Sequence, residues 1–450
     1  MRSTRLLGLL ASFGCALPVL AQDCSHRWSH VNIGPGLVNV IGSFDWLGRP
    51  VLMVGGYFDQ IDGVPVSSAA LWNGDAWDDL RGGFVHKGGA VVSAFVRFDD
   101  HSDSAIYAGG IFSIAGSVEV SCIARWDGQS WSDVGGGLTG VPPIWTARVN
   151  YLTVWDDGTG AALYAGGRFD TAGDTSAYGI ARWDGQSWSD VGGGVNGGVA
   201  SMKSWDDGTG VALYCGGVFT RAGDQAVSNL AKWDGQSWSD VGGGVSGPDA
   251  YVAALEVWDD GSGEQLYVGG DFYRAGGQSG FNHIARWDGH SWDSMSGGFV
   301  NNDPVNAFCI FDNGNGPALY AGGTFVLYKN QKPSYGCSVV RWDGQAREWV
   351  GQGKGPLSRV RTMASYPVDG KPTLWVGGSF TQIGEKKNLS GLAWHRGGST
   401  EYPADLWRDG NLDRNDFYYF VNHPADRNDD GLIDLFDYLD FINTYNAGCP

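Results

Sequence analysis

An internal repeat constrains this chain more than any other feature. A Gly-Gly pair followed by one residue and Phe recurs at Gly55-Gly56, Gly109-Gly110, Gly166-Gly167, Gly216-Gly217, Gly269-Gly270, Gly322-Gly323 and Gly377-Gly378. After each comes a short apolar run ending in Trp, at Trp72, Trp126, Trp183, Trp233, Trp287, Trp342 and Trp394. Successive Trp lie 50 to 57 residues apart. A fixed period of this length marks one supersecondary unit copied along the chain, not a string of unrelated domains.

The unit at residues 150 to 194 divides into four apolar runs: Tyr151–Trp155, Ala161–Tyr164, Ile180–Trp183 and Trp188–Val191. Asp-Gly turns separate the first run from the second and the third from the fourth, which is a hairpin signal. Runs this short suit strands and not helices. With 73 Gly and only 18% charged residues, the composition also excludes coiled coils and helical solenoids. The expected fold is therefore all-β, a seven-bladed β-propeller of four-stranded antiparallel blades. The seventh unit lacks its fourth strand after Trp394, while Arg27-Trp28-Ser29-His30-Val31 is similar to Ser187-Trp188-Ser189-Asp190-Val191. The N-terminal strand is accordingly expected to close the last blade. The Gly-Gly after an apolar strand, with Trp opening the fourth, resembles the kelch repeat over residues 28 to 399. That resemblance implies a fold and no particular activity.

The flanks carry separate signals. Arg2 and Arg5, the apolar stretch Leu6 to Leu20 and the small-residue site Val19-Leu20-Ala21 read as a signal peptide over 1–21, hence a secreted or cell-surface protein. That stretch is too short to span a bilayer, and no later one is long enough, so no membrane span is expected. Thirty Lys and Arg against 49 Asp and Glu give a net charge of −19, which argues against nucleic acid. A monomer is expected. Among the cysteines, Cys215 replaces Ala in a repeated Leu-Tyr-Ala-Gly-Gly and reads as a small buried residue. Whether Cys24 pairs with Cys449 stays open, as do the other pairings.

Composition changes after residue 399. The propeller is assigned 24–399, a linker 400–404 and a second module 405–450. From Asp405 onward there are ten Asp against three Arg. Residues 426–437 place oxygens at the spacing of a calcium loop: Asp426, Asn428, Asp430, Asp434 and Asp437, with the Leu432 carbonyl and a bend at Gly431. An earlier copy, 405–416, offers Asp405, Asp409, Asn411, Asp413 and Asp416 but has Trp407 at the third position, so it should hold calcium more weakly. Two such loops ending in Asp, each followed by one short amphipathic segment, resemble a dockerin module. The ending Asn446-Ala447-Gly448-Cys449-Pro450 looks like the carboxy-terminal anchoring variant of exported planctomycete-type proteins. The resemblance implies two Ca2+ ions and docking to a cohesin-like or other surface partner. Arg414-Asn415 and Leu435-Phe436 depart from the small hydroxylic residues usual at those positions.

The repeat region carries no H-E-x-x-H, G-x-S-x-G or phosphate-loop motif. The Asp-Asp-Gly-Thr-Gly segments read as plain hairpin turns, and the Trp pairs of Trp-Asp-Gly-Gln-Ser-Trp as packing between blades. In an up-and-down blade, the second–third loops and the links between blades share one face, and these segments vary most in sequence. Candidate ligand contacts there are Trp145, Arg148, Asp249, Tyr251, Phe272, Tyr273, Phe281, His283, Tyr328, Lys329, Lys332 and Tyr335, rings beside polar groups that suit glycans or protein partners. The resulting reading is an exported, non-catalytic binding or display protein. The alternatives are a dockerin-tethered polysaccharide hydrolase or lyase, and a structural envelope component. Calorimetric titration of the full chain with Ca2+ should show one tighter and one weaker site. Asp437→Ala should remove the tighter one, and a chain that gives no heat would refute both loops.

Overall fold

The structure, a computed structural model, describes residues 28–396 except 47, 101–103, 141–146, 300–303, 315, 325–327, 330–331, 334–337, 344–347, 352–355, 369, 384–385 and 388–390. The signal peptide, Cys24, Cys449 and the whole of the 405–450 module lie outside the described residues. Everything described belongs to one compact unit, Trp28–Gly398.

Among the described residues there is no helix, and the chain folds into seven four-stranded antiparallel sheets, six of them each built from one continuous stretch of chain. Sheet 1 comprises Leu37–Trp46, Arg49–Tyr57, Ala69–Trp72 and Trp77–Asp78. Sheet 3, covering the unit dissected above, has Arg148–Asp156, Ala161–Arg168, Ile180–Trp183 and Trp188–Asp190. Sheets 2, 4, 5 and 6 repeat this order with first strands Val91–Asp99, Gly198–Asp206, Tyr251–Asp259 and Val305–Asp312. Sheet 7 takes Val360–Ser365, Thr373–Gly378 and Leu392–Arg396 from the C-terminal side and its fourth strand from Trp28–Val31. Ser29 pairs with Trp394, as the missing fourth strand of the last unit required.

The Gly-Gly pair explains how neighbouring sheets approach. Every first strand carries a bulge opposite it, for example between Val149 and Tyr151, so one extra residue is squeezed out of the ladder. A Cβ on the second glycine would sit 2.1 Å from the Arg148 carbonyl at Gly167 and 2.0 Å from that of Gly198 at Gly217. A Cβ on the first glycine would strike a valine of the following sheet, 2.4 Å from Val149 at Gly109 and 2.3 Å from Val252 at Gly216. The same contact joins Gly377 of sheet 7 to Val38 of sheet 1, at 2.4 Å. The run of sheets thus returns to its start.

Seven apolar clusters fill the spaces between consecutive sheets among the described residues. Phe98, Leu152, Leu163 and Trp183 lie between sheets 2 and 3, and Val31, Val38, Leu52, Trp375 and Leu392 between sheets 7 and 1. Trp pairs reinforce them. Trp183 and Trp188 have ring centroids 5.2 Å apart, and the Trp188 indole donates to the Val134 carbonyl in the link from sheet 2, at 2.9 Å. Trp131 and Trp238 donate likewise to Leu80 and Val191. An indole fixed this way is packing between sheets, not an open sugar platform.

The links are more regular than their sequences suggest. Leu138–Thr139, in the link after sheet 2, pairs with Thr171–Ala172, which pairs in turn with Thr175–Ser176 in the second–third connection of sheet 3. Phe84–Val85 and Val245–Ser246 pair with the following sheet's connection in the same way. Their signal is the recurrent Ala-Gly at 115–116, 172–173, 222–223 and 275–276, which the strand pattern alone did not single out. Gly377→Ala should lower stability to chemical denaturation by about 1–3 kcal/mol through overpacking. Val38→Ala in the same chain should recover part of that loss; additive losses would break the proposed contact between sheets 7 and 1.

Candidate functional site

The bulges determine what lines the centre. The extra residues are Asn39, Ser93, Asn150, Ala200, Ala253, Asn306 and Arg361, one from each first strand. They border one cavity of about 290 Å³ that touches the first strands of all seven sheets. The polar groups are tied around it. Asn150 Nδ2 donates to the Val199 carbonyl at 2.8 Å, Asn306 Nδ2 to that of Val360 at 3.0 Å, and Arg361 Nη1 to Asn39 Oδ1 at 3.2 Å. Two further bonds cross between sheets, from the Ile41 amide to Thr362 Oγ1 and from the Leu255 amide to Ser201 Oγ.

Glu256 also lines the cavity, and its carboxylate is ion-paired with Lys203 of the preceding sheet. Burial, with the Glu256 charge adding to it, pushes the Tyr151 hydroxyl up to about 12. The same two causes push the Cys309 thiol, one sheet beyond Glu256, up to about 12. That thiol is protonated at neutral pH and no nucleophile. Cys122, Cys215 and Cys309 are all buried and unbridged, as the small-residue reading of Cys215 expected. Among the described lining residues Glu256 is the carboxylate, held by Lys203, whereas glycoside hydrolysis uses an opposed pair.

A second depression, about 440 Å³, lies between the links and second–third connections of sheets 3 and 4. Arg168, Asp170, Tyr178, Asn196 and Arg221 supply its polar wall, with Gly193 and Gly194 on the floor. Tyr178 is 50% exposed, a large ring offered to solvent. Asn196 is held by the amides of Thr220 and Arg221, both at 2.9 Å. Arg148 pairs in register with Arg168 across the first two strands.

The structure places the sequence-derived contacts unevenly. Arg148 and Asp249 are exposed, and Tyr251 and Tyr273 are half-buried. Phe272, Phe281 and His283 are buried, at 0%, 4% and 0% exposure, and face no solvent. The reason is local. Phe272 is the Phe of its own Gly-Gly-x-Phe unit, equivalent to the buried Phe112, Phe169 and Phe219. His283 occupies the turn position of Cys122, its amide donating to the Phe272 carbonyl as that of Cys122 does to Phe112. Within sheet 5 the structure joins Tyr251, across from Asp271, to Tyr273 and His283, whose Nδ1 lies 3.3 Å from Asp271 Oδ1. Trp145 and Tyr335 lie outside the described residues, as do the side chains of Tyr328, Lys329 and Lys332. The calcium candidates of 405–416 and 426–437 lie outside them too.

On the opposite face, the Asp-Asp-Gly turns do more than reverse the chain. In sheet 4, Asp207 accepts from Tyr214 at 2.7 Å and from Lys232 at 2.7 Å. Asp100, Tyr107 and Arg125 repeat this in sheet 2, and Asp157, Tyr164 and Arg182 in sheet 3. Asp260 and Arg286 repeat the ion pair in sheet 5. Burial alone would raise the Asp207 pKa, but the bonds from Lys232, Thr209 and Tyr214 outweigh it and hold the carboxyl far below its usual range. Burial, then the Asp207 hydrogen bond, drives the Tyr214 hydroxyl strongly up. The clusters recur in register and bind the turns to the sheets. Among the described residues no group of three or more His, Cys, Asp or Glu converges as a metal site.

No protein-family model matches the chain, and no curated protein matches it. Among solved structures it is similar to the extracellular domain of BT4673 from B. thetaiotaomicron, named as a one-component system, with 10% identity and a TM-score of 0.50. A second structure of that domain, named as a hybrid two-component system, gives 11% identity and a TM-score of 0.47. Both similarities cover 83% of this chain and 40% of the other, so this chain spans less than half of the protein it matches. At that identity the likeness concerns the fold alone.

Asp207 contributes stability above its unfolded pKa, near 3.9, and loses that contribution as pH falls through the depressed folded value. Asp207→Asn should cost about 3–5 kcal/mol at pH 7, since it leaves Lys232 half-buried without a counter-charge. Urea denaturation followed from pH 6 to pH 2 should show the gap between the two proteins narrowing below about pH 4. A constant gap would show that the ion pair is not its source.

Proposed function

We propose that the seven sheets are the blades of a kelch-like β-propeller that acts as an exported, non-catalytic binding protein. Its ligand, a glycan or protein segment, lies on the face made by the links and second–third connections. The observation that carries this reading is the depression between sheets 3 and 4. An exposed tyrosine ring there stands beside two arginines, an aspartate and an asparagine held in place by backbone amides. A flat ring flanked by hydrogen-bonding groups is the usual chemistry for a sugar face or an extended peptide.

Glu256, ion-paired to Lys203, favours binding over hydrolysis in the central cavity. The extracellular naming of the similar BT4673 domain is consistent with an exported protein. In this reading the 405–450 module takes up Ca2+ in loop 426–437 and more weakly in 405–416. It ties the propeller to a cohesin-like or other surface partner.

A glycan array probed with the full chain, with and without EDTA, tests the ligand and separates it from calcium-dependent anchoring. Tyr178→Ala should weaken the best array ligand roughly tenfold, the loss of one stacked ring. An unchanged signal would remove the depression from the ligand site.

A further inference from the structure

The depression between sheets 3 and 4 sits where the repeat departs from itself. In sheets 1, 2, 4 and 5 an amide of the following link donates to the carbonyl of Ser67, Ser121, Ser228 and Asn282; in sheet 3 it donates to that of Tyr178. A large ring, 50% exposed, thus replaces a small polar residue at this corner. The first pair of the strand ladder changes there as well. It is Leu37 with Tyr57 in sheet 1, Val91 with Ile111 in sheet 2, Gly198 with Val218 in sheet 4 and Tyr251 with Asp271 in sheet 5. In sheet 3 it is Arg148 with Arg168. Like charges directly opposite in a ladder are destabilising, so this pair works against the unliganded fold. Paired residues point to the same side of a sheet, and a Cβ on Gly198 would lie 3.8 Å from Arg168 Cβ, so both arginines project toward sheet 4. Arg148 is exposed and, among the described residues, has no carboxylate within ion-pair distance. Arg221, on the sheet 4 side, meets Asp224 at 3.7 Å with both side chains exposed, a contact that a ligand can displace at little cost. Three arginines against Asp170 and Asp224 leave a positive spot on a chain of net charge −19, and such a spot draws anions.

The backbone around the depression is committed to itself. The amides of Gly194, Val195, Asn196 and Gly223 donate to the carbonyls of Val191, Tyr178, Arg221 and Gly194, and those of Thr220 and Arg221 to Asn196 Oδ1. A peptide that adds to a sheet edge takes its affinity from such amides, so an acidic peptide is poorly served here. Recognition falls to side chains: an exposed ring above glycines, with guanidinium groups beside it. A pyranose ring stacks on a tyrosine face, and a carboxylate carried by that ring meets a guanidinium with charge-assisted hydrogen bonds. A volume of about 440 Å³ suits a short saccharide.

Given the depression as a glycan site, on which this step rests, we propose that its ligand is an acidic saccharide. A uronic acid residue lies with its ring on Tyr178 and its carboxylate held by Arg148 and Arg221 beside Arg168. Calorimetric titration of the full chain, in EDTA so that calcium-dependent binding is silent, tests this. The probes are uronate trisaccharides of galacto, gluco and manno configuration, the methyl ester of each, and an aspartate peptide of equal charge. One of the free acids should bind with one site per chain, and its ester, which keeps the ring and hydroxyls, about tenfold more weakly. Arg148→Gln should weaken that acid about tenfold and leave the ester unchanged, while Tyr178→Ala should weaken acid and ester alike. Because Arg148→Gln removes a like-charge pair, the unliganded variant should be no less stable to urea than the parent. Arg221→Gln, at an exposed position, is the second variant and should show the same selective loss. Equal affinity for acid and ester, no binding by any uronate, a peptide that binds as tightly as the acid, or an Arg148→Gln loss shared by the ester would overturn the proposal. A neutral glycan whose binding falls with Tyr178→Ala would then leave the depression standing as a glycan site; the absence of any such ligand would remove that reading too.

Discussion

The valine that each sheet lodges under the first glycine of the sheet before it sets the geometry of the whole repeat region. No side chain larger than hydrogen fits there, since a Cβ would lie within 3 Å of the valine at every one of the seven junctions. The second glycine lets the bulged strand cross at carbonyl distance, and the bulge turns one extra residue inward. Close approach of the sheets and the polar lining of the centre therefore have a common cause. Interiors tolerate little added volume, so this cause acts locally at each junction and cannot be traded for flexibility elsewhere.

The two faces of the sheets are used differently. One holds Asp, Tyr and Arg or Lys clusters tied together by hydrogen bonds and ion pairs, as at Asp207, Tyr214 and Lys232. The Gly185 and Gly235 turns also press against the Asp100 and Asp157 turns of the neighbouring sheet. That face is bound up in itself. The other face leaves Tyr178, Arg148 and Arg221 in contact with solvent over small pairs of strands that brace the links. Rigid support under exposed, dissimilar side chains is the arrangement on which recognition is usually built.

Much of this was legible in the sequence. The strands stood out because a glycine pair, an apolar run and two Trp recur with one spacing, and each term is local. The displaced fourth strand could be read as well, since Trp28-Ser29 carries the same side chains as Trp188-Ser189. Side-chain direction was harder. Phe272 reads as a surface ring from its place in a variable loop, although it is the Phe of the repeat itself and aligns with the buried Phe219. Phe281 stands where other sheets have Val66, Val120, Ala177 and Val227, and His283 where they have Ser68, Cys122, Gly179 and Asn229, but one extra residue in the sheet 5 loop hides both correspondences. The partners of Asp207 lie 7 and 25 residues away and become neighbours only once the strands are paired. Arg361 as a cavity residue needed the bulge, which no propensity reveals.

Sheet 7 joins the beginning of the described region to its end through Ser29 and Trp394. During synthesis the first strand of the described region is thus the last of its strands to find a partner. Until Leu392–Arg396 exists, Trp28–Val31 has no partner strand, and the flank of sheet 1 that meets Trp375 stays wet. The chain cannot finish folding piecemeal from its N-terminus; completion waits on release of the final strand. In the finished molecule that same strand acts as a clasp, so pulling on either terminus loads its ladder of hydrogen bonds before it strains any other sheet.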